Sequence, residues 1–475
     1  MSVRTAAVFV AIAVPCFFGV AVAQETVPDF TQAKDEALTI ARALIRIDTS
    51  NPPGNETKAV LYLQGILDKE GIASEVVASD PARANLIARI KGNGTRRPVL
   101  LVGHTDVVGF ERDKWTTDPL AADIKDGYLY GRGASDDKGR LAALLQAFIM
   151  VHRQHILLDR DLIFLAEAGE EGSFNVGADF LAAEHWDKID AEFALNEGGW
   201  IFEREGQVQY VGVANTEKVS RRIRLVARGT SGHGAMPRPD NAIVHLAAAV
   251  AKVGAYQPHM KLNETTRAFF ERLASVSPPE EAFLFRNLES GTVGKMVEDK
   301  VYELNIMYNS MLRTSISPTI IKGGFRTNVI PAEAEATLDI RALPNEDMAA
   351  FIDDLRRLID DPAIELIPAE PRPVPPSSPI DSEMFRALER AQKRVFPQAV
   401  TLPVMLPAGT TSSRLRARGV QSYGVNTVVG IEERSRIHGN DERVSVEGYG
   451  KFVEFIYRAV VGVAQGTDTA TGSIP

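Results

Sequence analysis

Short runs of apolar residues alternate with helical patterns along most of this chain. Strand-like runs cover Ser74–Val77, Ala84–Ile90, Pro98–Val102 and Asp161–Leu165, and a helical pattern covers Gly139 to about His152. Strands that alternate with helices predict an α/β sheet with both faces covered. In open sheets of this kind, ligands bind beyond the carboxyl ends of the strands.

Residues able to bind metals follow several of these predicted strands. His104, Asp136, Glu170 and Glu197 each come just after one, and His438 lies in a similar polar frame much later in the chain. Two imidazoles and a set of carboxylates supply the ligands of a zinc pair with a general base beside it. If these residues converge, the protein is a two-metal hydrolase.

The length and the local patterns predict two domains. A chain of 475 residues is too long for one simple core. Near Val219 the pattern changes to a half-exposed strand, and we interpret 219–343 as an inserted second domain. The catalytic domain then comprises 24–218 and 344–465. The helical, acidic segment Thr265–Lys300 is interpreted as an elaboration of the inserted domain.

The net charge and the N-terminal segment bear on the binding partners and the cellular location of the protein. A net charge of −9 offers no basic face to nucleic acid. Arg4, a mostly apolar run and the small residues before Gln24 predict a signal peptide over 1–23. A membrane anchor is the alternative. We expect export to a periplasmic or secreted location, with no membrane association after cleavage.

The single cysteine and the C-terminal tail indicate two further properties of the mature chain. Cys16 is the only cysteine and lies in the predicted signal, so the mature chain has neither disulfides nor thiolate metal ligands. The tail 466–475 is small and polar, and is predicted to be disordered.

His104 and Asp106 lie two residues apart after an apolar run, on one face of an extended chain. A carboxylate in this position can accept the second N–H of a metal-binding imidazole and fix its orientation. The alternative is a histidine at a strand end, capped by a neighbouring carboxylate.

Two pairs of adjacent acidic residues each allow two interpretations. Asp136 and Asp137 precede a predicted helix, where they either cap the helix or place one aspartate between two metals. Glu170 and Glu171 are bracketed by two glycines, which favour a turn. From a turn, one glutamate can bind metal while the other serves as general base; the alternative is an ordinary acidic loop.

His233 lies in a glycine-flanked loop of the inserted domain. This setting is not that of a packed core residue, and the imidazole can donate to an oxyanion. The other histidines lie in mostly polar helical settings and are interpreted as surface residues: His152, His155, His185, His245 and His259.

Several motifs occur in a characteristic order between Asp48 and His438. They are Gly-His-Thr-Asp, Gly-Arg-Gly-Ala-Ser-Asp-Asp-Lys-Gly, Gly-Glu-Glu-Gly-Ser and Gly-His-Gly-Ala-Met-Pro. In this order they resemble the co-catalytic zinc metallopeptidases, a family that includes aminoacylase, acetylornithine deacetylase, succinyl-diaminopimelate desuccinylase and bacterial glutamate carboxypeptidase. Met311–Thr314, running into Gly323–Pro331, resembles the carboxypeptidase S branch, which also contains secreted amidases acting on N-acyl amino acids.

The resemblance implies a fold and a metal centre. The catalytic domain would have a mixed central sheet flanked by helices, and the inserted α+β domain would be a lid that also mediates dimerisation. His104 and Glu197 would complete one zinc site, Glu171 and His438 the other, and Asp136 would bridge both. Cobalt or manganese would accept similar ligands.

The resemblance also implies roles around the metals. Glu170 would be the general base, Asp106 would orient His104, and the peptide bond between Asp136 and Asp137 would be cis. His233 would reach the active site of the partner subunit and polarise the scissile carbonyl. Further substrate-binding residues would be Asn328 near the same oxygen, and Arg341 and Arg414 on the free carboxylate.

Two departures from the family pattern stand out. Ser412 lies where the family usually has an aspartate, which leaves the placement of Arg414 open, and Asn196 replaces a common aspartate beside Glu197. The sequence and the family resemblance together imply a two-zinc hydrolase, expected to be a homodimer, that cleaves an amide or peptide bond next to a free carboxylate. Small peptides and N-acyl amino acids are both candidate substrates. The alternative is an exported solute- or metal-binding protein that keeps the fold without catalysis.

Overall fold

The structure is a computed structural model that describes residues 28–370 and 373–466. The predicted signal peptide lies outside these residues, as does nearly all of the predicted tail. Among the residues described, no helix is both long enough and apolar enough to cross a membrane.

The helices of the described chain begin and end as follows. They are α1 (Phe30–Arg46), α2 (Thr57–Lys69), α3 (Lys138–Arg153), α4 (Ala178–Glu184), α5 (Trp186–Ile189), α6 (Ala242–Ala255), α7 (Glu264–Leu273), α8 (Pro279–Arg286), α9 (Gly294–Leu304), α10 (Ile306–Leu312), α11 (Met348–Ile359), α12 (Glu383–Val395), α13 (Thr411–Ala417), α14 (Ile431–Arg436) and α15 (Val446–Ala464). The helix predicted from Gly139 to about His152 is confirmed as α3.

The strands begin and end as follows. They are β1 (Ser50–Asn51), β2 (Ser74–Val77), β3 (Asn85–Ile90), β4 (Arg96–His104), β5 (Val107–Val108), β6 (Ile124–Lys125), β7 (Tyr128–Tyr130), β8 (Arg160–Glu167), β9 (Phe193–Asn196), β10 (Ile201–Arg204), β11 (Gln207–Glu217), β12 (Val219–Arg228), β13 (Gly232–His233), β14 (Ser315–Gly323), β15 (Val329–Ile330), β16 (Glu333–Ala342), β17 (Ile364–Pro368), β18 (Val400–Leu406), β19 (Gln421–Gly424), β20 (Val428–Val429) and β21 (Arg443–Ser445).

The catalytic domain is built on one mixed sheet with the order β2-β3-β8-β4-β9-β19-β11-β10-β20, in which β18 also pairs with β11. Side chains alternate along β4, so that Leu101 packs in the core with α1, α3 and α15. Leu100 and Val102 point to the other face, where they pack with Phe180 of α4 and Leu415 of α13. Helices therefore cover both faces, and the predicted α/β class with a mixed central sheet is confirmed.

The second domain has its own antiparallel sheet with the order β14-β16-β12-β17. Its core packs Leu338 and Ile340 of β16 against Leu246 of α6 and Leu355 of α11. Strand β17 pairs with β12. The predicted end of this domain at Leu343 is therefore wrong, because α11 and β17 follow that residue. The helix–strand pattern is the same in either domain, and only long-range pairing decides which sheet a strand joins.

The segment of helices α7 to α10 packs against the catalytic domain. Phe269 and Phe270 of α7 share a core with Leu402 and Val404 of β18 and with Trp200, which precedes β10. The interpretation of Thr265–Lys300 as an elaboration of the second domain is therefore wrong. Its apolar face matches an apolar patch on β18, and proximity in sequence does not determine that docking.

Candidate metal centre

The ends of two neighbouring parallel strands position the first group of candidate ligands. Strand β4 pairs in parallel with β9, so that His104 at the end of β4 and Glu197 just after β9 reach the same edge of the sheet. His104 Nε2 lies 3.7 Å from Glu197 Oε2 and 3.1 Å from Asp136 Oδ1. The carboxyl ends of the strands are where open α/β sheets bind their ligands.

The second group lies on the other side of Asp136. His438 Nε2 is 3.1 Å from Asp136 Oδ2 and 2.9 Å from Glu171 Oε1. The two oxygens of the Asp136 carboxylate therefore face two different imidazoles. The candidate metal ligands form two groups that share this carboxylate. The structure thus brings together residues that lie more than 300 positions apart in sequence.

The peptide bond between Asp136 and Asp137 is cis, as predicted. Asp137 is fully buried, and its Oδ2 accepts hydrogen bonds from the backbone N–H of His104 at 3.0 Å and from Arg140 at 3.0 Å. Asp137 belongs to the first group by distance, but these hydrogen bonds already occupy its carboxylate. Asp136 is the aspartate that faces both imidazoles.

Asp106 supports both halves of the site. His104 Nδ1 lies 3.0 Å from the backbone carbonyl of Asp106 and 3.4 Å from its carboxylate. The carboxylate also accepts the backbone N–H groups of Glu170 and Glu171, at 3.1 and 3.0 Å, and the side-chain amide of Asn51 at 2.8 Å. Asp106 therefore positions the acidic turn as well as the imidazole, a function that spacing alone did not indicate.

Glu170 and Glu171 lie on a turn, as predicted, with Gly169 at φ 73° and Gly172 at φ 121°. Glu171 faces His438, whereas Glu170 is in neither ligand group. Burial raises the pKa of Glu170 well above its ordinary value, and the charge of Glu197 adds to this effect. Such a carboxylate is suited to accept a proton near neutral pH.

The charge balance of the site fits bound divalent cations. The carboxylates of Asp136, Glu171 and Glu197 form ion pairs only with imidazoles among the residues described. Hydrogen bonds to Asp136 and Glu171 raise the pKa of His438 to about 10. Burial alone would lower the pKa of His104, but the facing carboxylates raise it well above its ordinary value. Without a metal, the imidazoles would therefore take up protons, and the donor set of oxygens and imidazole nitrogens suits zinc.

A buried ion pair joins the two loops that carry the shared and the distal ligands. Glu442 Oε1 accepts the backbone N–H groups of Ser135 and Asp136, at 2.8 and 3.1 Å. Its other oxygen pairs with Arg132 at 2.5 Å, and both side chains are almost fully buried. Arg132 also donates to the backbone carbonyl of His438 at 3.2 Å. Sequence reasoning did not identify this pair, although Arg132 lies inside the Gly-Arg-Gly-Ala-Ser-Asp-Asp-Lys-Gly motif.

Removal of one partner from this pair should destabilise the protein. We expect Arg132→Met to lose about 3–5 kcal/mol, because Glu442 would stay buried without its counter-charge. Urea unfolding of the metal-free protein measures the loss. Arg97→Met is the matched control, since Arg97 pairs with Asp190 on the surface at 2.9 Å with side chains 52% and 43% exposed, and should lose about 0–1 kcal/mol. Equal losses in the two variants would contradict the role assigned to the buried pair.

A second buried acid lies beneath the centre. Glu167 pairs with His104 in the register of β8 and β4, and its Oε1 accepts a hydrogen bond from Thr411 at 2.5 Å. Its Oε2 has no partner among the described atoms. Burial raises the pKa of Glu167 to about 8. The acid is therefore largely protonated at neutral pH, and its buried position was not evident from the sequence.

Asn196 and Ser412, the two residues that depart from the family pattern, belong to one network of uncharged side chains. Asn196 Nδ2 donates to Ser412 Oγ at 3.0 Å, and Ser422 Oγ donates to the same oxygen at 2.9 Å. An amide and two hydroxyls therefore satisfy one another where the family usually has carboxylates. Arg414 Nε lies 2.7 Å from Asp179, and its guanidinium lies 3.5 Å from the centre of the Phe174 ring.

The remaining predicted site residues divide into two places. Arg341 and Arg414 line one cavity between the domains. His233 and Asn328 are exposed on the second domain, where the N–H of Gly234 donates to the Asn328 carbonyl at 2.8 Å. His233 Nδ1 accepts the N–H of Ala235 at 3.0 Å, which leaves Nε2 as the donor of the neutral ring. Within the described part of this single chain, His233 has no contact with the two ligand groups.

The fold and the paired ligand groups define a metal-dependent hydrolase. The family model for Peptidase family M20/M25/M40 matches residues 100–461, and the chain belongs to this family. The predicted family resemblance is thereby confirmed. The alternative of a non-catalytic binding protein is not supported.

Individual relatives agree with this assignment. The chain is 31% identical over 395 residues to a probable carboxypeptidase S-like 2 from Dictyostelium discoideum, covering 80% of this chain and 74% of that protein. It is 29% identical over 385 residues to the N-fatty-acyl-amino acid synthase/hydrolase PM20D1 from Homo sapiens, covering 77% and 74%. The M20 family metallo-carboxypeptidase Sso-CP2 from Sulfolobus solfataricus has a similar fold, with a TM-score of 0.66, 19% identity and coverage of 90% and 100%.

Proposed function

We propose that this protein uses two zinc ions to hydrolyse an amide or peptide bond next to a free carboxylate. The observation that carries the proposal is the Asp136 carboxylate, whose two oxygens each lie 3.1 Å from a different imidazole. A carboxylate shared in this way can hold two metal ions close together, as in a two-metal hydrolase. Glu170, which belongs to neither ligand group, lies nearby as the general base.

The proposed zinc ligands are taken from the two groups of side chains that share Asp136. His104, Asp136 and Glu197 would hold one zinc, and Asp136, Glu171 and His438 the other. When bound, such ions supply Lewis acidity that polarises a carbonyl and makes water more acidic. Cobalt or manganese would suit the same donors.

The protein's own side chains would carry the proton transfers and stabilise charge. Glu170 takes a proton from the attacking water and delivers it to the leaving amine. Asp106 keeps His104 and the acidic turn in position through its hydrogen bonds. Nε2 of His233 donates to the oxyanion that develops on the scissile carbonyl, and Asn328, on the adjoining loop, assists near the same oxygen.

The substrate would be a small peptide or an N-acyl amino acid. Arg341 and Arg414 line a cavity whose lining also includes Gly172, the residue directly after Glu171. A guanidinium binds a carboxylate with two parallel hydrogen bonds, which suits these residues to the free carboxylate. The two relatives above carry the names of a carboxypeptidase and of an enzyme of N-fatty-acyl amino acids, which share this bond type.

A homodimer would bring His233 to the metals. Strand β14 is an edge strand of the second-domain sheet, and it exposes 49% of Ile320 and 64% of Ile321. Val244 on α6 is 61% exposed as well. An open strand edge with apolar side chains is suited to pairing with a second copy. We also propose export, which rests on the N-terminal sequence before Gln24.

A metal-dependence assay tests the proposed function. We expect a chelator to abolish hydrolysis of N-acyl amino acids and dipeptides by the purified protein, and zinc to restore it. A panel of both substrate types separates a deacylase from a dipeptidase. Hydrolysis that survives complete metal removal, or absence of amide hydrolysis in the zinc-loaded protein, would refute the proposal.

A mixing experiment tests whether His233 acts across the dimer. His233→Ala should lower kcat about 10²- to 10³-fold, since one oxyanion donor is lost. Mixed and reassociated with Glu170→Ala, it should recover about one quarter of the wild-type activity, because half of the dimers are hybrids with one intact site. No recovery in confirmed hybrids would place His233 in the active site of its own subunit or outside catalysis.

A further inference from the structure

The cavity between the two domains has a strongly basic lining. Its volume is about 480 Å³, and its lining includes Gly172, which follows Glu171, and Pro373 and Pro375, which follow β17. Among the residues that the structure describes, five cationic side chains line it: Lys218, Arg222, Arg341, Arg414 and Arg416. One acidic residue, Glu217, belongs to the same described lining.

Three of the five cations are already paired with carboxylates. Arg416 lies 2.8 Å from Glu217. The other two pairs are Arg414 with Asp179 at 2.7 Å and Arg341 with Asp339 at 3.2 Å. Among the described residues of the lining, these contacts leave Lys218 and Arg222 as the cations without a carboxylate.

Lys218 is buried at the junction of β11 and β12. Its Nζ donates to Ser310 and Ser315, at 2.8 to 3.2 Å, and all of these acceptors are neutral. Among the residues described, no carboxylate lies in contact with its ammonium group. Burial lowers the pKa of Lys218 to about 7, and the charge of Arg341 contributes. An anion in the cavity would favour the charged form of this lysine.

Arg222 lies on β12, on the same face as Ser220, whose register partner on β16 is Arg341. Its side chain is exposed towards the cavity, and within the described chain it makes neither an ion pair nor a side-chain hydrogen bond. The register partner of Arg222 is Asp339, but that carboxylate contacts Arg341. Arg222 therefore presents a free guanidinium to whatever occupies the cavity.

We propose that this cavity selects substrates whose carboxyl-side residue carries a second carboxylate, as in N-acyl glutamate or a peptide that ends in an acidic residue. Arg222 is the specificity-determining residue for that second carboxylate. The proposed function gives the substrate's free carboxylate to Arg341 and Arg414, and Arg222 is a further cation of this cavity that no described carboxylate neutralises. A second substrate carboxylate is a group that such a guanidinium binds. The inference rests on the proposed function, because it assigns the residue next to the cleaved bond.

A binding experiment with isosteric ligands tests the proposal. Isothermal titration calorimetry compares N-acetyl-L-glutamate with N-acetyl-L-glutamine on the zinc-loaded full-length Glu170→Ala variant. We expect the glutamate ligand to bind about 10- to 100-fold more tightly, as for a charge-assisted hydrogen bond. When Arg222→Gln is combined with Glu170→Ala, the ratio of the two affinities should fall close to one. Arg222→Lys in the same background should keep part of the preference for the glutamate ligand.

Arg224→Gln is the matched control. Arg224 lies two residues further along β12 and pairs with Glu335 at 2.8 Å, outside the cavity, so this change should leave the ratio intact. Equal affinities for the two ligands, or no binding of N-acetyl-L-glutamate, would overturn the inference. Selective binding without hydrolysis by the wild-type enzyme would instead refute the proposed function and leave the inference standing.

Discussion

Replacing Glu170 by alanine should lower kcat about 10²- to 10⁴-fold, the usual contribution of a general base. The metal content should stay at the wild-type level, because Glu170 belongs to neither ligand group. Burial and the charge of Glu197 raise the pKa of its carboxyl, which favours uptake of a proton during the reaction. Steady-state kinetics and metal analysis of the same preparation measure the two quantities.

Two further variants make this result specific. Glu171→Ala should lose metal, because Glu171 lies 2.9 Å from His438 within a ligand group. Glu271→Ala changes an exposed position on α7 and should leave both quantities unchanged. Loss of metal from Glu170→Ala would count against its role as base and make it a ligand.

Replacing Asp136 by alanine should remove both metals and reduce activity to background. The carboxylate faces His104 through one oxygen and His438 through the other, at 3.1 Å in each case. Without it, each group keeps one imidazole and one glutamate, and the first also keeps Asp137, whose carboxylate is already hydrogen-bonded to His104 and Arg140. Each site then has fewer available protein ligands than catalytic zinc sites usually have. Metal analysis after dialysis and the amide-hydrolysis assay measure the outcome.

A variant of His438 provides the control for the Asp136 variant. His438→Ala should lose one metal and keep the other, since His438 belongs to one group only. Circular dichroism should show an unchanged fold in both variants, because Glu442 holds the loop through the backbone N–H of residue 136. Asp136→Ala protein that retains one tightly bound metal would show that the carboxylate is not shared.

Local sequence was sufficient for most elements and for the members of the ligand set. The strand Ser74–Val77 and the helix after Asp137 are where apolar periodicity placed them. The turn at Glu170 follows from its flanking glycines. Each of these features depends on residues a few positions apart, so a local pattern is enough to indicate it.

Other features depend on contacts between distant segments. Strand β17 and the helices α7 to α10 were assigned to the wrong side of a domain boundary, because their partners lie elsewhere in the chain. Glu442 and Glu167 resemble ordinary acidic residues in sequence, and only burial reveals their roles. Arg222 is one arginine among several on β12 until its neighbours are seen to be paired.

The sequence by itself determined the α/β class, the family motifs and the residues able to bind metal, because these depend on residue type and short spacing. The tertiary structure decided how they are divided. It placed His104 and His438 on opposite oxygens of Asp136 and kept Glu170 outside both groups. Within the described chain it also left Lys218 and Arg222 without carboxylate partners. Those distinctions depend on distances of a few ångströms between segments that are far apart in the chain, and charge and hydrogen bonding act over such distances.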